Sequence, residues 1–277
     1  MQIMSSNSRE ITLPSAEMDA GRMPGYWVMA RLGKRVLRPG GLDLTRAMLE
    51  RLQISNMDDV IEFAPGLGQT AQLVLKQHPA SYTAVESDAD AAAHVRQCLG
   101  EDHSTRCVLV EQAQETTLPN QCASVVYSEA ILTTQPQTSQ RKIVGEAFRL
   151  LKPGGRYGIH ELAIQIDGDD PSRIQQISKQ IADATHHSVF PMKSFYWRQL
   201  LMEAGFDVAQ QMTTPMRLLE PRQIIQDEGW WGASRFILRF LSQSLERRRV
   251  MQMRKIFRQL RSNLCGICLI ATKPTVA

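Results

Sequence analysis

The side chains best placed for chemistry stand where short apolar runs give way to turns. Val60–Phe63 is such a run; it carries Glu62 and is followed at once by Ala64-Pro65-Gly66-Leu67-Gly68. A short run bounded by turn residues reads as a buried strand. Ala71, Val74, Leu75 and His78 then share one helical face, which Pro79 ends. Strand, glycine turn and helix aim backbone N–H groups at a ligand, and Gly66 and Gly68 let it approach the main chain with no Cβ in the way. Further along, Glu86, Gln112, Ser128, Glu129, His160 and Glu161 each close a strand-like run, with His186-His187 beyond the last of them. Carboxylates and imidazoles at such ends are candidates for general-base work. Glu129 and His160 lead because they end central strands, and His187 can reach in from the segment that follows.

Two cofactor classes use such a turn. Read as G-x-G-x-x-A from Gly66 to Ala71, with Glu86 about twenty residues further on for ribose hydroxyls, it suits a dinucleotide. Read from Glu62, the stretch resembles motif I of the class I S-adenosylmethionine (SAM) methyltransferases, an acidic residue followed by G-x-G-x-G. Ala64 stands where that motif has its first glycine. A residue with a Cβ takes positive φ only at a cost, so negative φ is expected at Ala64.

The order of the remaining elements arbitrates. About fifty residues precede the glycine-turn strand, with helical patterns at Met29, Leu32, Val36 and at Leu44, Ala47, Met48, Leu52, separated by Pro39-Gly40-Gly41. A dinucleotide fold usually opens with its glycine turn, whereas the resembled family commonly carries such helices as a cover. Ser81–Val85 reads as the second strand, and Glu86 at its end can accept from both hydroxyls of an adenosine ribose. A helix from Asp88 to Leu99 follows, with Gly100 as its cap. Thr105–Val110 is the third strand, and Gln112-Ala113 stand where the family often has G-D-A. The Gln112 carbonyl can accept from an adenine amine, and Ala113 leaves room for the flat ring. Ala123–Ser128 is the fourth strand and Arg156–Glu161 the fifth. Between them Leu151-Lys152-Pro153-Gly154-Gly155, expected as a helix cap and tight turn, gives the most specific single resemblance. Helices over 171–184 and 194–204, a sixth strand after Gly205-Phe206, a helical insertion over 215–262 and a last strand at Cys265–Thr272 complete the chain.

Other chemistries find less support. Cys265-Gly266-Ile267-Cys268 has no partner pair and lies in an apolar run, which suggests core packing instead of a metal or redox site. Cys98, Cys107 and Cys122 do not fall at strand ends, against an arsenite-type methyltransferase. Where nucleic-acid amino-methyltransferases carry D/N-P-P-Y/F, this chain has Ser128-Glu129-Ala130-Ile131. In the insertion, Val250, Met253, Phe257, Leu260 and Leu264 form a stripe to be buried, and Arg247, Arg248, Arg254, Lys255, Arg258 and Arg261 occupy the other face as solvated charge. The net charge of +4 over 277 residues is too mild to demand a polyanionic partner. No apolar run approaches the roughly 20 residues of a membrane span, and the odd count of five cysteines without an export signal points to a reducing cytoplasm.

Alternating strands and helices imply an α/β fold: a seven-stranded, mostly parallel sheet with helices on both faces and the last strand antiparallel. Residues 1–20 form a polar arm and 21–277 the methyltransferase-like domain, with a helical cover at 26–55 and a lid at 215–262. The resemblance implies SAM as cofactor, held by Glu62, Ala64, Gly66, Gly68, Glu86, Gln112, Ala113 and Ser128, no metal, and a small-molecule acceptor. Trp230 and Trp231, ahead of the basic helix, suggest an apolar or aromatic acceptor beneath the lid, or equally belong to a core. Neither nucleic acid nor a membrane span is expected, and a homo-oligomer is left open. The alternatives are an NAD(P)-dependent oxidoreductase and a non-catalytic methyltransferase-like partner protein.

Overall fold

A computed structural model describes residues 18–100 and 105–275; most of the predicted polar arm, residues 1–17, lies outside them. The chain runs α1 (Gly25–Arg31), α2 (Gly41–Leu52), β1 (Asp59–Phe63), α3 (Gln69–Leu75), β2 (Ser81–Glu86), α4 (Ala89–Leu99), β3 (Arg106–Val110) and β4 (Ala123–Glu129). A 3-10 turn (Leu132–Thr134) precedes α5 (Gln137–Leu150) and β5 (Leu151–Ile164). Then come α6 (Pro171–Thr185), β6 (Met192–Lys193), α7 (Ser194–Glu203), β7 (Asp207–Pro215), α8 (Pro221–Ser242), α9 (Ser244–Gln259) and β8 (Leu264–Thr272).

The sheet order is β3-β2-β1-β4-β5-β8-β7, with the two-residue β6 pairing beside β5. β8 is antiparallel to both β5 and β7, from Arg156 opposite Thr272 to Ile164 opposite Leu264 on the β5 side. This is the seven-stranded class I methyltransferase sheet, with one short extra strand. Side chains alternate across it and fill a core on each face. One holds Phe63, Val126, Ile143, Ala147 and Trp197; the other holds Val60, Ala71, Val74, Tyr82 and Val95, with Met48 and Leu52 from α2. Cys265 and Cys268 are buried in opposite cores, so they cannot share a metal, and they pack as the sequence suggests. A third core lies among α1, α6, α8 and α9, where Val250, Met253, Phe257, Leu260 and Leu264 are all buried.

Local chemistry sets the ends that matter for the site. The Asp88 carboxylate accepts the Ala91 N–H at 2.8 Å and opens α4. Two expectations fail on backbone grounds. The first helix does not reach Val36: Gly33 takes φ +100° and the Lys34 N–H returns to Met29 O at 3.0 Å, ending α1 at Arg31. Leu151 does cap α5, but Leu151–Gly155 is not a free turn: it starts β5. Leu151 pairs with Ala123, and Gly154 and Gly155 bond the backbone of Lys273 at 2.8 Å. Gly154, at φ +77°, supplies the bend within the strand.

Candidate active site

The carboxyl ends of the central strands open into a cavity of about 460 Å³. Its walls include Glu62, Ala64, Gly66, Glu86, Gln112, Ala113, Glu129 and His187 from the sequence-predicted set. Gly68, Ser128 and His160 are not among its lining residues.

The turn after β1 is built on left-handed backbone. Ala64 has φ +53°, contrary to the expected negative value, and its N–H donates to Val85 O at 2.8 Å. The bond across to β2 holds alanine in the conformation a glycine would take there. Ala130, at the end of β4, repeats the device with φ +58° and an N–H bond to His160 O at 2.8 Å. Gly66 has φ +57°, and a Cβ placed on it would meet nothing within 4 Å, so the main chain is open to the cavity there. Gly68 serves a different purpose: it caps α3 at φ +69° and packs against Cys98.

Glu86 accepts the Asp88 N–H at 3.1 Å and is steadied by the N–H groups of Gly66 and Ser87, while burial pushes its carboxyl above the ordinary range. Gln112 is exposed at the rim, and Ala113 is buried. Glu62 is held by the hydroxyls of Tyr82 and, at 2.7 Å, Tyr127. Burial raises its carboxyl to about 7 in spite of those two bonds.

The densest polar cluster surrounds Glu129. It accepts from Thr45 Oγ1 at 2.6 Å, from Thr70 Oγ1, and from His160 Nδ1 at 2.8 Å, and Arg38 Nε lies 3.1 Å away. Burial alone would raise its carboxyl, but Arg38 and the donors hold it at about 2. A carboxylate so acidic is a poor base. His160 is sealed from solvent between Glu129 and the carbonyl of Pro39, so it positions Glu129 and does not reach the cavity. Ser128 is likewise buried, 3.2 Å from the hydroxyl of Tyr157. Of the three predicted bases, His187 is the one both at the cavity wall and without a carboxylate partner among the described residues. Its ring meets Tyr26 edge-on at 5.5 Å, and burial lowers its pKa, which keeps the imidazole neutral at pH 7.

Several site residues escape sequence reasoning. Arg38 lines the cavity, nine-tenths of its side chain is buried, and its Nη2 has no hydrogen-bond partner. Nothing in a lone arginine ahead of Pro39-Gly40-Gly41 distinguishes it from surface charge. Tyr26 and Trp27 of α1 complete the wall. The 215–262 insertion contributes none of the lining residues, which corrects its expected role as lid and substrate wall. Trp230 and Trp231 are 75% and 87% exposed, so they pack in no core, and neither lines the cavity.

Residues 60–155 match the family described as a methyltransferase domain. That segment holds the glycine turn and the central strands of a class I methyltransferase fold. A protein of Haemophilus influenzae without an assigned function is 29% identical over 251 residues, covering 90% of this chain and 98% of that protein. Among solved structures, Haemonchus contortus phosphoethanolamine N-methyltransferase 2 in complex with SAM has a TM-score of 0.67 and 18% identity over 91% of this chain and 57% of its own. The [4+2]-cyclase SpnF has a TM-score of 0.68 and 15% identity, over 91% of this chain and 94% of its own. A methyltransferase fold shared with a cyclase shows that fold alone does not name a reaction. Among the described residues there is no cluster suited to a metal ion and no helix long and apolar enough to cross a membrane.

Proposed function

We propose that the cavity binds S-adenosylmethionine and that the domain transfers its methyl group to a small-molecule acceptor. The observation that carries this is the pairing of Arg38 and Glu129 at the cavity wall. A buried guanidinium with a spare N–H beside a carboxylate held ionised is the counterpart of an amino-acid zwitterion. Arg38 Nη2 would take the carboxylate of the cofactor, with Glu129 and Glu62 on the side of its positive charge. A volume of about 460 Å³ is within the usual range of small-molecule sites.

The same charges disfavour a dinucleotide. A pyrophosphate would need the N-terminus of the glycine-turn helix. There the ionised Glu129 already accepts the Thr70 hydroxyl, one residue into α3. An anion brought to that point would face a fixed negative charge.

Glu86 would accept the ribose hydroxyls, and the Gln112 carbonyl would meet the adenine amine with Ala113 beneath the ring. Bound there, the cofactor supplies an electrophilic methyl group on a sulfonium. The protein positions the acceptor and, where the acceptor must lose a proton, removes it. His187, neutral and set against Tyr26, is the group that can take it. Tyr26 and Trp27 give the acceptor side an aromatic wall, which suits an apolar or aromatic molecule.

Calorimetry tests the reading directly. SAM and S-adenosylhomocysteine should bind in the micromolar range and NADH should not; NADH binding without SAM binding would overturn it. Labelled SAM offered with a metabolite pool then identifies the acceptor, and tight binding with no labelled product would mark a non-catalytic relative.

A further inference from the structure

The insertion between β7 and β8 leaves one face that packing does not account for. Beyond a kink at Gly229 (φ +70°), α8 turns Ala233 and Phe236 into the core. Its opposite side is apolar as well: Trp230, Trp231, Ile237, Leu238 and Leu241 are all exposed, Leu238 to 69% and Leu241 to 61%. At the helical repeat these five fall in a sector of about 120°. Leu245 and Met251 add exposed apolar surface on α9. A helix apolar on two sides is ordinarily sealed, and monomers seldom leave a contiguous patch of this kind uncovered.

The charges around the patch select its occupant. Arg222, Arg235, Arg239, Arg247, Arg248 and Lys255 form no ion pair among the described residues. The acids of the same segment are already paired: Glu220, half-exposed at the start of α8, faces Arg254 and Arg258, and the other three are turned inward. Asp227 and Glu228 are buried against Lys34, and Glu246, largely covered, faces Arg31 at 3.5 Å. The outer surface is therefore a stripe of tryptophan, leucine and isoleucine bordered by cations, and each acid of the segment already has a cationic partner. A second copy docked here about a two-fold axis would bring Arg235 and Arg239 near like charges. A polynucleotide would find cations but no use for exposed Leu238 and Leu241.

We propose that this α8–α9 face lies on the surface of an anionic phospholipid bilayer. The tryptophans would sit at headgroup level, the leucines and isoleucine at the acyl boundary, and the arginines among the phosphates. Binding of this kind needs neither a membrane-spanning helix nor the cofactor, so it stands apart from the SAM reading.

The test is co-sedimentation of the full chain with vesicles of phosphatidylglycerol mixed with phosphatidylcholine, and with phosphatidylcholine alone. Expected are binding to the mixed vesicles, loss of that binding as salt rises, and a blue shift of tryptophan emission. Trp230→Ser with Trp231→Ser should weaken binding by about tenfold or more, and Arg235→Glu with Arg248→Glu should abolish it. These side chains are exposed, so thermal melts should not change. The proposal is overturned if neither vesicle binds, or if the variants bind like the parent. It is overturned too if lipid-free protein forms a dimer that the tryptophan variant dissolves, or if RNA displaces it from vesicles while the tryptophan variant keeps its RNA affinity.

Discussion

Lys34 Nζ lies 2.8 Å from Asp227 Oδ2, and both side chains are sealed from solvent. The pair joins two segments more than 190 residues apart, and it does not act alone. Asp227 Oδ1 accepts the Leu42 N–H at 2.9 Å, and Glu228 accepts the N–H groups of Arg35 and Val36 at 2.7 and 2.9 Å. Both ends of the segment that carries Arg38 are thus fixed by the insertion. The insertion serves the cavity as a clasp on its cover.

Breaking a buried ion pair from one side costs about 3–5 kcal/mol, because the other charge is left without a partner. Asp227→Ala should destabilise the domain by that order in urea unfolding. Replacing both partners, Lys34→Met with Asp227→Leu, should recover part of the loss, while the Leu42 N–H remains unsatisfied. A single variant as stable as the parent would mean that Glu228, 3.9 Å from Lys34, or solvent takes over the charge.

Ala64 offers the reverse experiment. Left-handed backbone costs a residue with a Cβ about 1–2 kcal/mol, and glycine gives back roughly 0.4–1 kcal/mol through the freer unfolded chain. Ala64→Gly should therefore raise stability by up to about 1.5 kcal/mol in thermal melts. A bulkier Ala64→Val should lower it. A glycine variant less stable than the parent would show that the Ala64 methyl makes contacts worth more than its strain.

The strand ends were legible in the sequence because each pairs a short apolar run with a turn residue. Glu62, Glu86 and Glu129 accordingly reach the cavity wall. Two kinds of information were not legible. One is where a strand stops: β5 runs four residues past His160, so His160, in register with Glu129 and bonded to it, is sealed, while Glu129 at the end of β4 lines the cavity. The other is long-range pairing. Arg38, Asp227 and Glu228 read as ordinary charges until the fold brings residues 34–42 against 227–228. Ala64 departs from its local preference for the same reason, since a tertiary bond to Val85 overrides it.

Burial sets a pH dependence at Glu62. Its carboxyl sits at about 7 in the folded protein and near 4.3 in an unfolded chain. The folded state therefore binds a proton that the unfolded state has lost in between. This contribution is fully present below the unfolded value and is lost as pH rises through about 7. Urea midpoints should fall across that window, and Glu62→Gln should flatten the curve. An unchanged slope in the folded glutamine variant would assign the titration to another group.

His187 carries the opposite sign. Burial lowers its pKa below the ordinary 6.5, so the folded protein favours the neutral ring. That contribution is present above the unfolded value and is lost as pH falls through the folded one. Imidazole NMR should place its midpoint below 6.5. Tyr26→Ala, which removes the ring packed edge-on against it, should bring the midpoint back toward the free value. A His187 that titrates normally in the parent would be too hydrated for the proposed base.

Glu86 gives the most direct test of cofactor geometry. It ends β2, and its carboxylate is steadied by three backbone N–H groups that would otherwise turn to water. Its removal should leave the sheet intact, because the strand's pairing with β1 and β3 is made by the backbone. A hydrogen bond to a charged acceptor contributes about 1.5–3 kcal/mol, which corresponds to a ten- to hundredfold change in affinity. Glu86→Ala should lose that much SAM affinity in calorimetry, with its melting profile retained. Gln112→Ala, at the exposed rim, should lose less, since water can replace an exposed carbonyl. Equal SAM binding by Glu86→Ala and the parent would place the ribose elsewhere in the cavity, and with it the orientation that brings the methyl group toward His187.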